Sequence, residues 1–550
     1  MDDKQRFDRN LVALSARHPH LARRLAESEQ ETSLRVEEAR SGHPVPVLLR
    51  NDRPFFLHSR FNPVAEGERT ANAASGEFLV AFGLGGGYHL TPLLSSTRVT
   101  GLLIVETNLK LVSALFHKID YSALLSDSRV ILLVDPDPQE FRHILLERYL
   151  PILYGDLGTI SLRSRVDVDA LWFSQIMDQL KELFETLGRD LTVQAKFGRR
   201  WFIHTLANLP LSEQAHAVLP PSRQMMITAA GPSLHTQLPQ IRKLKEHGVK
   251  LIATDTSLAF LSASGLVPDI VLSIDCQAVS YHHFLKGLPP STVLVLDLAS
   301  PPVIARRTEN VLFVSSGHPF SLYINRFYRP FPLLDLSGGN VTHAALSLAR
   351  NSGAQEIHLF GADYSYPMGQ PYARGTYLYS LFHSQGNRIH SNEHAFWNFV
   401  HGSHPWREKT KKGWRLRTPA MDHYRSMLEE SLPFQEVSLN NDPRHGSVLH
   451  LPSSKEPSFM VAAGSASSSW NTFLTDYAHQ LSALPKLSGP PRDYLECLNP
   501  EDRQAWATLL PAAATFHRQG HAGPEAVEES RQWSIQRLQA RHKHSLSLST

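Results

Sequence analysis

The feature that most constrains this chain is a repeated alternation of short apolar runs, turns and amphipathic stretches. Runs of four or five mostly apolar residues occupy positions 78–82, 101–105, 130–134, 225–228, 249–253, 270–274, 293–296, 311–314 and 357–360. Short apolar runs bounded by turns predict buried strands. Strands that alternate with helices predict an α/β protein with a mainly parallel sheet, whose site lies at the carboxyl ends of the strands.

The pattern divides the 550 residues into five segments. At roughly 150 residues per domain, this length suits three or four domains. The segments are 1–65 with amphipathic helices over 5–40 and a hairpin, 66–165 as a Rossmann-like domain, 166–222 as a helical connector, 223–455 as a central α/β domain, and 456–550 as a helical C-terminal region with a basic tail. The tail is either an interaction arm or a solvated helix.

Charge and cysteine content exclude several classes of protein. Lys and Arg total 55 against 52 for Asp and Glu, a net charge of +3, which argues against a nucleic-acid partner. The two cysteines, Cys276 and Cys497, form no CxxC pair, so a disulfide framework and a thiolate zinc site are excluded. Without a signal core or an apolar run of about 18 residues, the sequence predicts a cytoplasmic protein with no membrane span.

A first glycine-rich turn follows the run at 78–82. It carries Gly83, Gly85 and Gly87, and the next apolar run ends in Glu106. This order is typical of a nucleotide-binding βαβ unit, in which glycines admit phosphate to a helix N-terminus and the acid binds a ribose hydroxyl. The alternative is a tight strand-to-helix turn that needs glycines without any ligand.

A second turn, at Gly231, comes with acids near the ends of the following strands. Ser233 is placed to cap the next helix, whose free amides are suited to a phosphate. Asp255, Asp269 and Asp275 are expected at one sheet edge, where like charges require a metal, a ribose or a base. Asp269 and Asp275 are the candidate ligands for Mg²⁺.

These motifs resemble the MptE-like domain, named after the archaeal 6-hydroxymethylpterin diphosphokinase. The same domain forms the core of the motility accessory factor (Maf) flagellin glycosyltransferases. The similar blocks are residues 231–234, 255–258, 267–275, 338–345 and 353–364. The first glycine turn with Glu106 is similar to the N-terminal region of Maf proteins, so agreement over the whole chain favours Maf.

Maf central domains are in turn similar to bacterial sialyltransferases that use CMP-activated sugars. The resemblance implies a nucleotide site formed by Gly231, Pro232, Ser233, Leu234, Asp255, Thr256, Asp275, Ser337, Gly338, Gly339, Asn340, Gly361 and Asp363. Tyr372 matches the tyrosine that assists the departing phosphate, and Tyr366 is expected to be a second one. Ala230 departs from the family's Asn, and the loop 368–396 does not align.

The transfer reaction also needs a base to take the proton of an acceptor hydroxyl. Histidine titrates in the right range for that role. His383, His390 and His394 lie in the loop that does not align, with Glu393 beside them. We expect one of the three to be catalytic, although each alone is more often a surface histidine.

The resemblance therefore implies a glycosyltransferase that moves a nonulosonic acid, such as pseudaminic or legionaminic acid, from a CMP donor to Ser or Thr of flagellin in the bacterial cytoplasm. No tightly bound cofactor is expected, Mg²⁺ is an option, and a homo-oligomer is left open. One alternative is an MptE-like diphosphokinase that uses ATP and Mg²⁺, held by the three acids, on a hydroxymethylpterin. The other is a non-catalytic scaffold that binds flagellin, for which Ala230 and the partly matching turn at 440–447 argue.

Overall fold

The computed structural model describes residues 1–50, 53–410, 413–430, 446–451 and 461–548, with side chains as far as residue 541. The chain divides into two units. The first is formed by Met1–Gly198 and Ala483–Ser534, and the second by Arg199–Ser482 and Ile535–Thr550. The turn at 440–445 and the hairpin turn at 51–52 lie outside the described residues.

The first unit starts with helices and an antiparallel sheet and continues as alternating strands and helices. Its elements in chain order are α1 (Asp3–Ser15), α2 (Pro19–Ala26), β1 (Leu34–Glu38), β2 (Pro44–Arg50), β3 (Arg53–Phe56), α3 (Pro63–Ala73), β4 (Phe78–Phe82), α4 (Thr91–Leu94), β5 (Gly101–Glu106), α5 (Leu109–Lys118), α6 (Ser122–Ser126), β6 (Val130–Val134), α7 (Pro138–Arg148), α8 (Pro151–Tyr154), β7 (Leu157–Ser161) and α9 (Arg163–Val166). A 3₁₀ turn, Asp167–Asp169, leads into the 44-residue helix α10 (Ala170–Glu213).

Four parallel strands form the core of this unit, in the order β6-β5-β4-β7. Every residue of β4, β5 and β6 is buried, as a parallel sheet covered on both faces requires. The three strands predicted in this part of the chain are confirmed.

The N-terminal segment differs from the helical pattern predicted for residues 5–40. The helices end at Ala26, and β1 pairs antiparallel with β2, which in turn pairs with β3. Leu34 and Val36 alternate with charged residues, and this period of two suits a half-exposed strand. The longer helical pattern of residues 5–40 hides this short alternation.

The remaining elements continue the α/β alternation through the second unit and end in C-terminal helices, of which those within residues 483–534 belong to the first unit. The elements are β8 (Gln224–Thr228), α11 (Leu234–Glu246), β9 (Lys250–Thr254), α12 (Asp255–Ala263), β10 (Ile270–Ser273), β11 (Val293–Asp297), α13 (Pro302–Ala305), β12 (Val311–Val314), α14 (Pro319–Phe327), α15 (Val341–Asn351), β13 (Glu356–Phe360), β14 (Tyr366–Pro367), α16 (Tyr377–Gln385), α17 (Asn392–His401), β15 (Trp406–Thr410), β16 (Gly413–Arg417), α18 (Pro419–Glu430), β17 (Ser447–His450), α19 (Trp470–Ala483), α20 (Pro491–Cys497), α21 (Pro500–Ala507), α22 (Leu510–Arg518) and α23 (Gly523–Leu548). A 3₁₀ segment, Ala278–Phe284, follows β10.

A seven-stranded sheet organises this unit, in the order β12-β11-β10-β9-β8-β13-β17. Only β17 is antiparallel among these seven strands. Apolar residues of one face, such as Met225, Ile227 and Ile252, pack in a common core with Ala345 and Leu348 of α15. The predicted fold class, α/β with parallel sheets and a helical C-terminal region, is confirmed.

A small antiparallel sheet, β14-β16-β15, lies between β13 and β17 in sequence, together with α16, α17 and α18. This part of the chain, between β13 and β17, includes the stretch 368–396 that does not align with sialyltransferases. Within the described ranges, no helix is both long and apolar enough to span a membrane.

Candidate active site

The order of the seven-stranded sheet reverses at β8. The chain steps from β8 outwards through β9, β10, β11 and β12, and then returns to place β13 on the other side of β8. In open α/β sheets, ligands bind at the carboxyl ends of the strands where such a reversal occurs. The ends of β8 and β13, at Gly231 and Gly361, therefore mark the candidate site.

The turn after β8 is held against the turn after β13. The amide of Gly231 donates to the carbonyl of Gly361 at 2.8 Å. A Cβ at Gly231 would lie 2.4 Å from Asp363 Oδ2 and 2.5 Å from the Gly361 carbonyl oxygen, so only glycine fits. Pro232 and the fully buried Leu234 complete the turn. The structure thus brings together the glycines and acid that the sequence placed on neighbouring loops.

Asp363 accepts the hydrogen bond of an amide that was expected to be free to bind a phosphate. Its Oδ2 accepts the amide of Ser233 at 2.9 Å, and burial raises the pKa of Asp363. The Ser233 side chain makes no capping hydrogen bond, and its hydroxyl lies 3.4 Å from Gln237 Oε1. A carboxylate of the protein thus stands at the N-terminus of α11, and any donor groups for a phosphate must come from neighbouring side chains.

Tyrosines supply such donors beside the turn. The amide of Ala373 donates to the carbonyl of Ala230 at 2.8 Å, which fixes the adjacent Tyr372 next to the Gly231 turn. Burial, and then the neighbouring Tyr377, Tyr366, Asp255 and Tyr424 side chains, raise the pKa of Tyr372 well above its usual range. Burial also raises the pKa values of Tyr366 and Tyr377. These phenols therefore stay protonated and able to donate hydrogen bonds at neutral pH.

Two acids close the other side of this group. Asp255, 2% exposed, accepts from Ser273 Oγ at 2.7 Å and from the amide and hydroxyl of Thr256 at 2.7 and 3.1 Å. Asp275 follows β10, accepts from the Gln277 amide at 2.9 Å, and has its pKa raised by burial and by the Asp255 carboxylate. Asp255 and Asp275 therefore lie close enough to influence each other at this edge of the sheet.

Asp269 lies at the opposite end of β10 from Asp275. It forms ion pairs with Lys245 and Lys250, and the Leu251 amide donates to it at 2.8 Å. The expected convergence of three acids is therefore reduced to two, because Asp269 precedes the strand and Asp275 follows it. No group of three His, Cys, Asp or Glu side chains suited to a metal occurs among the described residues. The residues do not fit the Mg²⁺ site expected from Asp269 and Asp275.

The Gly338 loop begins α15. Asn340 caps the helix by accepting from the amides of Thr342 and His343 at 2.9 and 3.2 Å. A Cβ at Gly338 would lie 2.0 Å from the His343 ring. Gly339 has φ +70° and would bring a Cβ 3.1 Å from the Tyr424 ring.

Tyr424 links this loop to the rest of the site. It lies against Gly339 and contributes to the environment of Tyr372, while the Ser337 amide next to Gly338 donates to Asp335 at 2.9 Å. The Gly231 turn and the Gly338 loop are therefore connected through two tyrosines.

The three loop histidines lie on an exposed surface. His383 ends α16, His394 lies in α17, and His390 lies between these helices. The rings of His390 and His394 are 5.9 Å apart, and His394 and His383 bond to Asn398 and Asn392. Within the described residues, these contacts lie on the exposed surface and do not involve Tyr366, Tyr372 or Tyr377.

The glycine turn of the first unit is filled by the protein's own side chains. The buried Glu106 accepts from the Leu84 and Thr107 amides at 3.1 and 2.7 Å and forms a 2.6 Å ion pair with Arg165. A Cβ at Gly83 would lie 2.8 Å from the Arg165 side chain, and the Gly86 amide donates to His58.

The two other glycines of this turn are also packed against side chains. A Cβ at Gly85 would lie 2.3 Å from Leu162, and one at Gly87 would lie 3.5 Å from the Tyr121 ring. These contacts favour the alternative of a tight turn without ligand.

A further buried acid, Asp297, ends β11 at the same sheet edge. Burial raises the pKa of Asp297 to about 7, although the Ala299 amide donates to Oδ1 at 2.7 Å. A carboxyl group whose folded-state pKa is raised contributes its full stability below the unfolded pKa, near 4, and loses it as the pH rises towards 7. No sequence pattern marked this residue.

We therefore expect Asp297→Asn to flatten the pH dependence of stability. Between pH 5 and pH 8 the wild-type protein should lose about 2–3 kcal/mol more free energy of unfolding than the variant. Denaturant titrations at both pH values measure the difference. Asp476→Asn, an exposed site on α19, serves as the control and should follow the wild type. Parallel curves for wild type and Asp297→Asn would contradict the buried, protonated state.

Comparisons with known proteins agree with this architecture. Residues 50–149 match the model of the glycosyltransferase Maf N-terminal domain, and residues 202–369 match the 6-hydroxymethylpterin diphosphokinase MptE-like model. A solved structure, the MAf glycosyltransferase from Magnetospirillum magneticum AMB-1, has the same fold with a TM-score of 0.59. At 16% identity, the match covers 98% of this chain and 96% of that one.

Three uncharacterized proteins of Treponema pallidum (strain Nichols) are also similar. The first is 30% identical over 187 residues, which are 32% of this chain and 66% of that protein. The second is 25% identical over 177 residues, 32% of this chain and 84% of its own length. The third is 23% identical over 207 residues, and the chain spans 46% of its length.

The matches follow one another along the chain as the sequence resemblance implied. A Maf N-terminal domain precedes an MptE-like domain, and the fold agrees with a Maf structure over nearly the whole length. The chain is therefore similar to the Maf glycosyltransferases in the order of its domain matches and shares their fold.

Proposed function

We propose that the protein transfers a nonulosonic acid from a CMP donor to Ser or Thr of flagellin in the bacterial cytoplasm. The observation that carries the proposal is the group of buried and half-buried tyrosines at the carboxyl edge of the sheet, where the strand order reverses. Protonated phenols suit a departing phosphate because they donate hydrogen bonds without carrying charge of their own.

The donor would lie between the Gly231 turn and the Gly338 loop. During transfer, the bond from the anomeric carbon to the phosphate oxygen breaks and its electron pair leaves on CMP. The acceptor hydroxyl oxygen forms the new bond to that carbon and gives up its proton. Tyr372 and Tyr366 donate to the phosphate oxygen as its negative charge grows, while Asp255 and Asp275 accept hydrogen bonds from the sugar or ribose hydroxyls.

The polar groups of the two glycine turns hold this pocket in shape. Asp363 fixes the Gly231 turn through the Ser233 amide, and Asn340 fixes the start of α15. Because these groups are satisfied within the protein, the pocket is formed before the donor binds, which reduces the ordering needed during the reaction.

The match to an MptE-like domain supports a second candidate, diphosphate transfer from ATP to a hydroxymethylpterin. That reaction needs Mg²⁺ to bridge and neutralise the phosphates. The separation of Asp269 from Asp275 and the neutral phenols around Tyr372 favour the CMP-sugar instead.

One pair of incubations separates the candidates. The protein is mixed with a CMP-activated nonulosonic acid and flagellin, or with ATP, Mg²⁺ and hydroxymethylpterin, and nucleotide release is followed by chromatography. We expect CMP release together with a mass increase of flagellin by one sugar residue. AMP release would establish the diphosphokinase, and tight flagellin binding without release of either nucleotide would establish a scaffold.

A further inference from the structure

A buried histidine that the sequence did not single out lies beside the acidic side of the pocket. His283 belongs to the 3₁₀ segment Ala278–Phe284 after β10 and is 7% exposed. Its Nε2 lies 4.0 Å from Asp255 Oδ1, and its ring meets the Tyr377 ring edge-on with centroids 4.3 Å apart. His283 therefore lies next to both an acid and a tyrosine of the candidate site.

Among the residues that the structure describes, none uses the hydrogen-bonding capacity of this ring. Nδ1 is buried without a partner, and Nε2 is too far from Asp255 for a direct hydrogen bond. A hydroxyl oxygen about 2.8 Å from each would bridge Nε2 and Oδ1 across this gap. Burying an unsatisfied imidazole costs stability unless a ligand group uses it.

Resting on the proposed function, we propose that His283 is the general base that takes the proton of the acceptor Ser or Thr hydroxyl. The hydroxyl O–H bond breaks and its proton moves to Nε2 of His283. The oxygen electron pair forms the bond to the anomeric carbon, and the carbon–phosphate oxygen bond breaks with its electrons going to CMP. Asp255 stabilises the imidazolium that forms, as a carboxylate beside a catalytic histidine does.

The side chains that surround His283, from each element packed against it, suit the role of a base. Asp255 begins α12, Asp275 follows β10, and Tyr377 begins α16. The fourth neighbour, α13, carries no titratable side chain. Two acids and a phenol therefore face the His283 ring, whereas His383, His390 and His394 lie on an exposed surface away from Asp255 and Asp275.

Substitution tests this assignment. His283→Gln is expected to lower the transfer rate roughly 10²- to 10⁴-fold, the usual contribution of a positioned base, while CMP affinity stays within twofold. The matched control His247→Gln changes an exposed histidine after α11 at the other end of the sheet and should keep the wild-type rate.

Chemical rescue separates a base from a structural histidine. Imidazole added to His283→Ala should raise the transfer rate of that variant at least tenfold, because imidazole can take the proton in the space left by the ring. His283→Gln with more than a third of the wild-type rate would overturn the assignment, as would loss confined to the triple variant His383→Gln, His390→Gln, His394→Gln. No CMP release by the wild-type protein would instead overturn the proposed function itself.

Discussion

Tyr372→Phe is expected to lower kcat for sugar transfer roughly 10²- to 10³-fold. The phenol donates to the phosphate oxygen as CMP leaves, and removing one such donor from a water-excluded site costs about that much. Because the same hydrogen bond is weak to the bound donor, CMP affinity should change little. Initial rates of CMP release and calorimetric titration with CMP measure the two quantities.

Tyr149→Phe is the matched control for Tyr372→Phe. Tyr149 is a buried tyrosine of the first unit whose hydroxyl donates to the Gly155 carbonyl at 2.7 Å. Its loss should cost about 1 kcal/mol of stability and leave kcat unchanged. A Tyr372→Phe enzyme with the wild-type kcat would remove the tyrosines from the proposed mechanism.

Glu106→Gln is expected to destabilise the first unit by roughly 3–5 kcal/mol, because it leaves the buried Arg165 without its closest partner. Asp169 remains 2.7 Å from Arg165 but is partly exposed and cannot replace the lost charge. Differential scanning calorimetry is expected to show a lower midpoint for that unit. At a temperature where the variant is folded, CMP affinity should equal that of the wild type.

The surface pair Glu29–Lys110 gives a control for Glu106→Gln. Both of its side chains are largely exposed, so Glu29→Gln should leave the midpoint unchanged. A Glu106→Gln variant that keeps its midpoint and loses affinity for a nucleotide would restore the glycine turn as a second nucleotide site.

The strands were predictable from sequence because their signal is local. The run at 78–82 consists of apolar residues only, and such residues need a sheet buried on both faces. Residues 34–38 were mispredicted as helix because alternation over five residues carries less weight than a helical pattern that covers thirty-six. The pairing of β1 with β2 depends on a partner strand that the pattern itself does not contain.

The roles of the acids were less predictable because charge partners come from distant positions. Glu106 has the spacing of a ribose-binding acid, but Arg165, 59 positions later, neutralises it. Asp269 is six residues from Asp275, yet a strand between them puts the two at opposite ends of the sheet. Spacing alone does not reveal on which side of a strand an acid lies.

His283 was missed for a related reason. It lies in a 3₁₀ segment that has no apolar periodicity and contains no recognised motif. Its position beside Asp255 depends on how that segment packs. Tyr377 likewise contacts His283 only because α16 begins beside that segment.

Calorimetric titration with CMP tests most directly whether the tyrosine-lined edge of the seven-stranded sheet holds the donor nucleotide. The wild-type protein and Gly188→Ala, an open helical position of α10, are expected to bind one CMP per chain with saturable heat. Gly231→Ala, whose Cβ would meet Asp363 and Gly361, is expected to lose that heat. No heat from the wild type, or equal binding by Gly231→Ala, would contradict this site.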